Sequence, residues 1–193
     1  QRQMCIRDSI FRGCRAWNNG DDGFDLINCY ASYIIEYCWS FRNGYKPHSI
    51  ESSGGNGAGF KSGGYGMGDI KKDPNPIPQH TVRYCLAYYN RQQGFYSNHH
   101  LGGLIFENNT AYKNPSNYNM LNRKSSNEAV DVPGYGHIIK NNLSLSPRNS
   151  GGFPQHLINV DNTLSEIKNN SFAPNDLNLS ESDFESLNEQ ELM

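Results

Sequence analysis

The sequence predicts an all-β fold, a parallel β-solenoid of about six coils, from three observations. Matching residues recur in columns along the chain, and neighbouring copies can lie 24 residues apart, as Cys14 and Cys38 do. Each copy contains short runs of β-forming residues followed by turns rich in Asn and Gly, without helical periodicity. A period of about 20–30 residues made of short strands and turns is typical of a solenoid whose coils stack on one another.

Five anchor positions define the repeat, and the residues around them form its columns. A small residue lies two positions after each anchor, and large apolar residues lie three positions before and three positions after it. Asn lies five positions after four of the anchors, and a weaker sixth copy contains Ile167 and Asn170. The anchors are Cys14, Cys38, Cys85, Asn109 and Asn142, and the Asn column contains Asn19, Asn43, Asn90 and Asn114.

Stacking of coils assigns a role to each column. Asn side chains in successive coils are expected to hydrogen-bond along the column, and the apolar columns are expected to fill the interior. The anchors Cys38 and Cys85 are 47 residues apart, so an insertion lies between them, either GYKPHSIESSGG (44–55) or KKDPNPIPQH (71–80). A β-sandwich with irregular strands is the competing fold, but a sandwich does not require matching columns.

The two ends of the chain differ from the repeat. Residues 1–9 match no column and are interpreted as a non-native leader, so the solenoid is predicted to span 10–173. Residues 174–193 are acidic and polar and are predicted to form an incomplete flap or tail over the solenoid. The chain is therefore interpreted as a fragment truncated at both ends.

Composition excludes several classes of function. The formal net charge is −2, from 17 Lys and Arg against 19 Asp and Glu, which gives no basic surface for nucleic acid. No apolar run approaches the roughly 20 residues of a membrane span. The five cysteines contain no CxxC pair and are expected to be small buried residues rather than disulfides. The protein is expected to be a monomer that binds neither nucleic acid nor membrane.

The segment WNNGDDGFDLI (17–27) places Asp21, Asp22 and Asp25 within five positions. Three close carboxylates repel one another unless a cation lies between them, and such oxygen-rich clusters suit Ca²⁺, which takes six to eight oxygen ligands. In the alternative interpretation these aspartates only accept hydrogen bonds from backbone N–H groups in a turn.

The repeat places a lysine beside these carboxylates. Aligning GFD (23–25), GFK (59–61) and GFY (94–96) puts Asp25, Lys61 and Tyr96 in one column of consecutive coils. Lys61 lies in GGNGAGFKSGGYGMG, in which eight of fifteen residues are Gly, so a large ligand can approach the backbone closely. A neighbouring Ca²⁺ would lower the pKa of Lys61 and favour the neutral amine that a base needs.

This arrangement resembles the family 9 polysaccharide lyases, pectate lyases built on a right-handed parallel β-helix. The motifs that carry the resemblance are CRAWNNGDDGFDLI, GNGAGFKSGG, NRQQGFYSNHH and NNTAYKNPSNYNML, spread between about residues 10 and 190. The resemblance implies Ca²⁺ ligands at Asp21, Asp22 and Asp25 and a Brønsted base at Lys61. It further implies β-elimination on an acidic polysaccharide such as polygalacturonate or pectin, and a secreted or cell-surface protein.

Two further residues are candidates for binding the substrate. Arg91 lies in the turn one coil beyond Lys61 and is placed to contact a substrate carboxylate, although a solvated arginine is equally consistent with the sequence. His99 follows the GFYSN strand and is placed to line the groove.

Two other functions fit a solenoid with these residues. An inverting, polygalacturonase-like hydrolase would use paired aspartates as acid and base. A non-catalytic carbohydrate-binding solenoid would use Ca²⁺ only to brace a turn and would not need Lys61.

Overall fold

The computed structural model describes residues 9–49, 51–66, 73–148, 155–172, 177 and 179–185. Within these residues, three parallel sheets run along the length of the molecule; the first five coils contribute one strand to each sheet, and the sixth coil contributes a strand to one sheet only. Parallel pairing of strands that are far apart in sequence requires a crossover connection, here the remainder of each coil. The predicted all-β solenoid is confirmed.

The strands fall into three sheets and one hairpin. Sheet A contains β1 (Ser9–Arg12), β4 (Tyr33–Glu36), β7 (His80–Arg83), β10 (Leu104–Glu107), β15 (Ile138–Lys140) and β18 (Glu166–Lys168). Sheet B contains β2 (Arg15–Trp17), β5 (Trp39–Phe41), β8 (Leu86–Tyr88), β11 (Thr110–Tyr112) and β16 (Leu143–Leu145). Sheet C contains β3 (Phe24–Asp25), β6 (Phe60–Lys61), β9 (Phe95–Tyr96), β12 (Tyr118–Asn119) and β17 (Leu157–Ile158). The antiparallel hairpin consists of β13 (Asn122–Ser125) and β14 (Glu128–Val132).

The register of the sheets reproduces the predicted columns. In sheet A, Ile35 pairs with Phe11 and Val82, and in sheet B, Ser40 pairs with Ala16 and Ala87. The column that begins at Phe11 continues through Phe106, Ile139 and Ile167, so the weaker sixth copy is a genuine coil.

One apolar column does not fill the interior. Alternate residues of a strand point to opposite faces, so the small column of Ala16 faces inward and the column of Trp17 faces outward. Phe41, Tyr88, Tyr112 and Leu145 accordingly form a cluster apart from the main core. Leu179 and Phe184, on either side of a short 3₁₀ helix at Glu181–Asp183, pack against this outer cluster. The expectation that every apolar column lies inside was wrong because this column is one residue away from the inward-facing small column and so points to the opposite face of the same strands.

Both connections of the second coil contain more residues than those of the first, and one candidate segment lies in each. Residues 42–59 connect β5 to β6 and residues 62–79 connect β6 to β7, whereas 18–23 and 26–32 make the same connections in the first coil. Sequence alone left the choice between the two segments open.

Parts of several predictions fall outside the described residues. These are residues 1–8 of the proposed leader, Cys5, and most of 174–193. The division into leader, solenoid and tail stays a prediction. Cys14, Cys29, Cys38 and Cys85 are free thiols; Cys38 and Cys85 are buried, as expected, whereas Cys29 is half-buried and Cys14 is exposed because it lies in the first described coil. In the part of the chain that the structure describes, no helix has the length and apolarity needed to cross a membrane.

Two asparagine ladders hold the coils in register. In the first ladder, the Nδ2 atom of Asn43 donates to Asn90 Oδ1 at 3.0 Å, and Asn90 Nδ2 donates to Asn114 Oδ1 at 3.1 Å. A second ladder, which the sequence did not predict, joins Asn109, Asn142 and Asn170. Buried amides of this kind must be fully paired, so each ladder fixes the stacking of its coils.

Three histidines, His80, His100 and His137, are buried inside the solenoid. Each accepts a backbone hydrogen bond at Nδ1, from the N–H of Tyr33, Gly64 and Leu104 respectively. Burial lowers the pKa of His80 to about 3 and the pKa of His100 and His137 to about 4. All three rings are therefore neutral at physiological pH.

Replacing Asn90 with Ala is expected to lower the free energy of unfolding by about 3 kcal/mol or more. The change removes the acceptor of the Asn43 backbone N–H and Nδ2 groups and the donor to the Ser40 carbonyl and to Asn114 Oδ1, all in a buried site. Asn19→Ala, at the exposed end of the same ladder, is the matched control and should lower the free energy of unfolding by less. Urea denaturation measures both, and equal losses would contradict the ladder's role.

Acidification from pH 7 to pH 5 is expected to destabilise the protein through the buried histidines. Because their folded pKa values lie below the ordinary value of 6.5, their contribution is complete above pH 6.5 and is lost progressively below it. Each ring should cost on the order of 2 kcal/mol at pH 5. His100→Asn keeps an acceptor for the Gly64 N–H but does not titrate, so its unfolding free energy should depend less on pH. An unchanged pH dependence would contradict the assignment.

Candidate active site

A three-residue motif in successive coils builds one wall of the site. In the second coil it is Gly59, Phe60 and Lys61. A Cβ on Gly59 would lie 2.6 Å from a backbone carbonyl oxygen of the next coil, so only Gly fits there. Phe60 stacks on Phe24 and Phe95 with ring centroids 5.0 Å apart. The residue after the stacked Phe must then point outward, and this places Lys61 on the outer face of sheet C.

Lys61 lies between two of the predicted aspartates. Asp25 and Lys61 are register partners in β3 and β6, as predicted. The Nζ atom of Lys61 donates to Asp22 Oδ2 and to Asp25 Oδ2, both at 3.2 Å. The side chain of Asp22 is 1% exposed and that of Lys61 is 12% exposed. In this structure the lysine itself is the cation that separates the carboxylates.

The remaining carboxylate oxygens hold the backbone. Asp21 Oδ1 accepts the N–H of Asn56 at 2.7 Å, and Asp22 Oδ1 accepts the N–H of Ala58 at 2.7 Å. Asp25 Oδ1 accepts the N–H of Ile27, two residues along the chain. These are the turn contacts of the alternative interpretation, and Asp22 and Asp25 combine them with the contacts to Lys61.

Lys61, Asp22 and Asp25 form a trio whose electrostatics favour a charged lysine. Burial by itself lowers the pKa of Lys61, but the negative charges of Asp25 and Asp22 outweigh it, so the pKa lies above its ordinary value. The pKa of Asp22 is also raised, first because the carboxyl is buried, although the Ala58 N–H and Lys61 oppose this effect. Lys61 therefore needs these two carboxylates to be neutralised before it can serve as a base.

A cleft of about 400 Å³ opens beside the trio. Lys61, Asp22 and His99 line it, so these predicted residues share one cavity. Its other polar lining residues are Asn56, Gln92, Gln93, Tyr96, Asn98 and Arg123. Such a concave surface with several polar groups suits a hydrated polymer such as a polysaccharide.

Arg91 holds a loop. Its Nη1 group donates to the carbonyl oxygens of Gly55 at 2.9 Å and Asn56 at 3.3 Å. Those carbonyls belong to the glycine-rich loop that Asp21 and Asp22 also bind. Contact of Arg91 with a substrate stays a prediction.

The hairpin supplies a residue that sequence reasoning missed. His99 Nε2 lies 3.0 Å from Asp131 Oδ1, and Asp131 pairs across the hairpin with Arg123. Burial lowers the pKa of His99, while Asp131 partly opposes the shift. The signal in the sequence was the 33-residue spacing between Asn109 and Asn142, which exceeds the 24-residue repeat by a hairpin's length.

The trio fits a hard cation only in part. Carboxylate oxygens are ligands that Ca²⁺ prefers, and Asp22 and Asp25 direct one oxygen each toward a common point. Within the described ranges, no group of three or more His, Cys, Asp or Glu side chains is arranged to hold a metal ion. The donor chemistry fits, and the remaining ligands would have to come from outside these residues.

Comparison with known families agrees with this fold and these motifs. Residues 5–142 match the family model described as the Pel9A-like, right-handed beta helix region. The chain belongs to this family. The handedness of the solenoid and the predicted resemblance are thereby confirmed.

Members of the family and solved structures with the same fold include several lyases. Pectate lyase L of Dickeya chrysanthemi is 40% identical over 136 residues, and pectate lyase PEL9 of Emericella nidulans is 34% identical over 122 residues. These matches cover 70% and 55% of this chain and 28% of each relative.

Two solved structures match almost the whole chain. A rhamnogalacturonan lyase matches 95% of this chain and 43% of its own, with 54% identity and a TM-score of 0.85. Pectate lyase Pel9A matches 94% of this chain and 38% of its own, with 34% identity and a TM-score of 0.67. The chain thus spans less than half the length of these relatives.

Replacing Lys61 with Met is expected to destabilise the fold at neutral pH. Removing one partner of a buried ion pair costs about 3–5 kcal/mol, and the Asp22 carboxylate would be left without its cation. The loss should shrink at acidic pH, because the pKa of Asp22 is raised and its carboxyl then becomes neutral. Lys124→Met, at a lysine that is 57% exposed, is the control. Equal urea midpoints for the two variants at neutral pH would contradict this account.

Proposed function

We propose that this chain carries the site of a calcium-dependent lyase that cleaves a galacturonate-containing polysaccharide by β-elimination. The observation that supports it most directly is a half-buried lysine held between two carboxylates on the wall of a cleft. The family supports the same reaction class, since the relatives described above are pectate lyases and a rhamnogalacturonan lyase.

Lys61 is the proposed Brønsted base. In a uronate, the hydrogen at C5 is acidic because it lies next to the carboxylate, so its removal places negative charge on that carboxylate. The electron pair then forms the double bond between C4 and C5, and the oxygen at C4 leaves with the neighbouring sugar and takes up a proton from solvent to become a hydroxyl group. No water attacks, so the site needs one base and a means of stabilising the carboxylate.

The proposed cation partner is Ca²⁺, held by Asp21, Asp22 and Asp25. When bound, it would neutralise these side chains and act as a Lewis acid toward the substrate carboxylate. Once Asp22 and Asp25 are neutralised, burial is the main remaining influence on the pKa of Lys61. Burial lowers this pKa and so favours the neutral amine.

Polar residues of the cleft are the proposed substrate contacts. Arg123 is 4% exposed and lines the cleft, so its guanidinium group is suited to a second uronate carboxylate. His99, paired with Asp131, would donate or accept a hydrogen bond with a sugar hydroxyl. Arg91 would act chiefly by holding the loop that ends at Ala58. Because pectic polymers lie outside cells, secretion or cell-surface display is part of this proposal.

An inverting hydrolase fits the geometry less well. Inverting pairs of carboxyl groups are separated by about 6.5–9.5 Å to admit a water molecule. Asp22 Oδ2 and Asp25 Oδ2 both contact one lysine nitrogen at 3.2 Å, so the two oxygens lie closer together than that range.

Rhamnogalacturonan is the substrate that the comparisons favour over polygalacturonate. The rhamnogalacturonan lyase is 54% identical over nearly the whole chain, whereas pectate lyase Pel9A is 34% identical over a similar span. Both polymers contain galacturonate, so the proposed chemistry at C5 is the same for each.

Ultraviolet absorbance of the unsaturated product tests the proposal. The wild-type protein should form this product from rhamnogalacturonan, from polygalacturonate or from both, in the presence of Ca²⁺ and not with a chelator. A general base contributes about 10²–10⁴-fold, so Lys61→Arg, which keeps the charge but stays protonated, should lower kcat by that order.

Lys61→Arg is preferred to smaller substitutions because it preserves a cation between Asp22 and Asp25, so loss of activity would not reflect unfolding. Thermal melting of both proteins is the control. Retention of most activity by Lys61→Arg would make Lys61 a substrate-binding cation. Formation of reducing ends without ultraviolet absorbance would indicate a hydrolase instead.

A further inference from the structure

The turn between sheets A and B repeats one backbone conformation in every coil. The residue after each sheet A strand has a positive φ, between 53° and 68°. Gly and Asn favour this left-handed conformation, and bulky side chains rarely adopt it. The six residues are Gly13, Tyr37, Tyr84, Asn108, Asn141 and Asn169.

Two of these positions depart from the preference. Tyr37 and Tyr84 have φ values of 54° and 53°, although their rings are 54% and 45% exposed. Tyr89 has a similar φ in another turn, but its ring packs edge-on against Tyr88 and Tyr112. The two exposed tyrosines therefore combine an unfavourable backbone with apolar surface left in water. Strained residues persist where the surrounding structure or a function requires them.

The two rings form a parallel stack with an open end. Their centroids are 5.0 Å apart and their planes differ by 6°. The position before Tyr37 in the column is Gly13, and a Cβ built on Gly13 would meet no atom within 4 Å. Because Gly13 has no side chain, this position does not cover the face of Tyr37 that points away from Tyr84. Among the described residues, Tyr37 therefore has a stacked ring on its Tyr84 side and none at the Gly13 position.

Positive charge borders the stack. Arg12 and Arg83, which directly precede Gly13 and Tyr84, both bind the buried carboxylate of Glu36. The two guanidinium groups share this single carboxylate, so Arg12, Glu36 and Arg83 together carry one positive charge, and Glu107, the register partner of Arg83 in the next coil, adds a carboxylate on the side away from Arg12. Their side chains are 66% and 38% exposed, which leaves N–H groups facing solvent.

We propose that Tyr37 and Tyr84, with Arg12 and Arg83, form a second carbohydrate-binding site for an acidic polysaccharide, separate from the cleft of Lys61. A pyranose ring would lie with its C–H face on the open face of Tyr37, above Gly13. Its carboxylate would bind an exposed guanidinium group. The identity of the polymer rests on the proposed function, but the site itself does not use Lys61 or the aspartates.

Location supports a role in holding the polymer rather than cleaving it. The stack lies at the junction of sheets A and B, whereas the cleft lies on the outer face of sheet C. None of the four residues lines the cleft. A second contact on the same polymer would raise the local concentration of substrate at the cleft.

Affinity electrophoresis in gels that contain polymer tests this site. All proteins carry Lys61→Arg, so that cleavage does not alter the gel. The double change Tyr37→Asn and Tyr84→Asn introduces the residue that the same column uses at Asn108, and should fold. We expect it to weaken retardation by rhamnogalacturonan and polygalacturonate about tenfold. Leu164→Asn removes an exposed apolar side chain elsewhere and is the matched control.

Further variants separate stacking from charge and from stability. Tyr37→Phe with Tyr84→Phe keeps both rings and should bind as before, and a neutral galactan should retard no variant. Undiminished retardation of the double Asn variant, or equal retardation by galactan, would overturn the proposal. Product formation from short oligosaccharides, measured with Lys61 intact, should be unaffected by the tyrosine changes. If wild type forms no product, only the proposed function fails, because retardation is measured independently.

Discussion

The stacking of side-chain amides is the constraint on which the rest of this structure depends. A strand that slips by one residue exchanges its inner and outer faces, so a solenoid built from strands of two to four residues has little tolerance for error. The amide of Asn90 bonds to the coils on both sides and to a backbone carbonyl, and no shifted register satisfies all these bonds. Every outward-facing residue is positioned as a consequence.

The candidate site inherits its geometry from that register. Asp25 and Lys61 meet because they occupy equal positions in consecutive coils, and Asp22 joins them because its neighbour Gly23 fits under the asparagine ladder. The same contacts that pack the trio also hold Lys61 as a cation. The arrangement is thus stable as a salt-bridged cluster, and in the proposed reaction Lys61 would act as a base only when another partner neutralises the aspartates. A site that depends on such an exchange couples substrate chemistry to occupancy of the carboxylates.

Sequence reasoning succeeded where a residue repeats in a column and failed where it does not. The solenoid, the column of Asn19 and the pairing of Asp25 with Lys61 all follow from the spacing of the repeats. The hairpin that brings Asp131 to His99 has no counterpart in the described parts of the other coils, so no column predicted it. The outward direction of the Trp17 column was missed because apolar character does not distinguish a core from a surface that another segment covers. The hydrogen bond from Arg91 to the Gly55 carbonyl was also missed, because Gly55 lies in an insertion that does not follow the repeat.

The position of the trio across two coils has a consequence for how such a molecule can change in evolution. Solenoids lengthen by duplicating whole coils, since each new coil repeats the contacts of the last. Duplication beyond β9 would leave the trio intact. A coil added between β3 and β6 would separate Asp25 from Lys61 by about one further strand spacing of 4.8 Å, while preserving every ladder and the fold. A coil inserted at this boundary between the first two coils would therefore keep the fold but separate the residues of the trio.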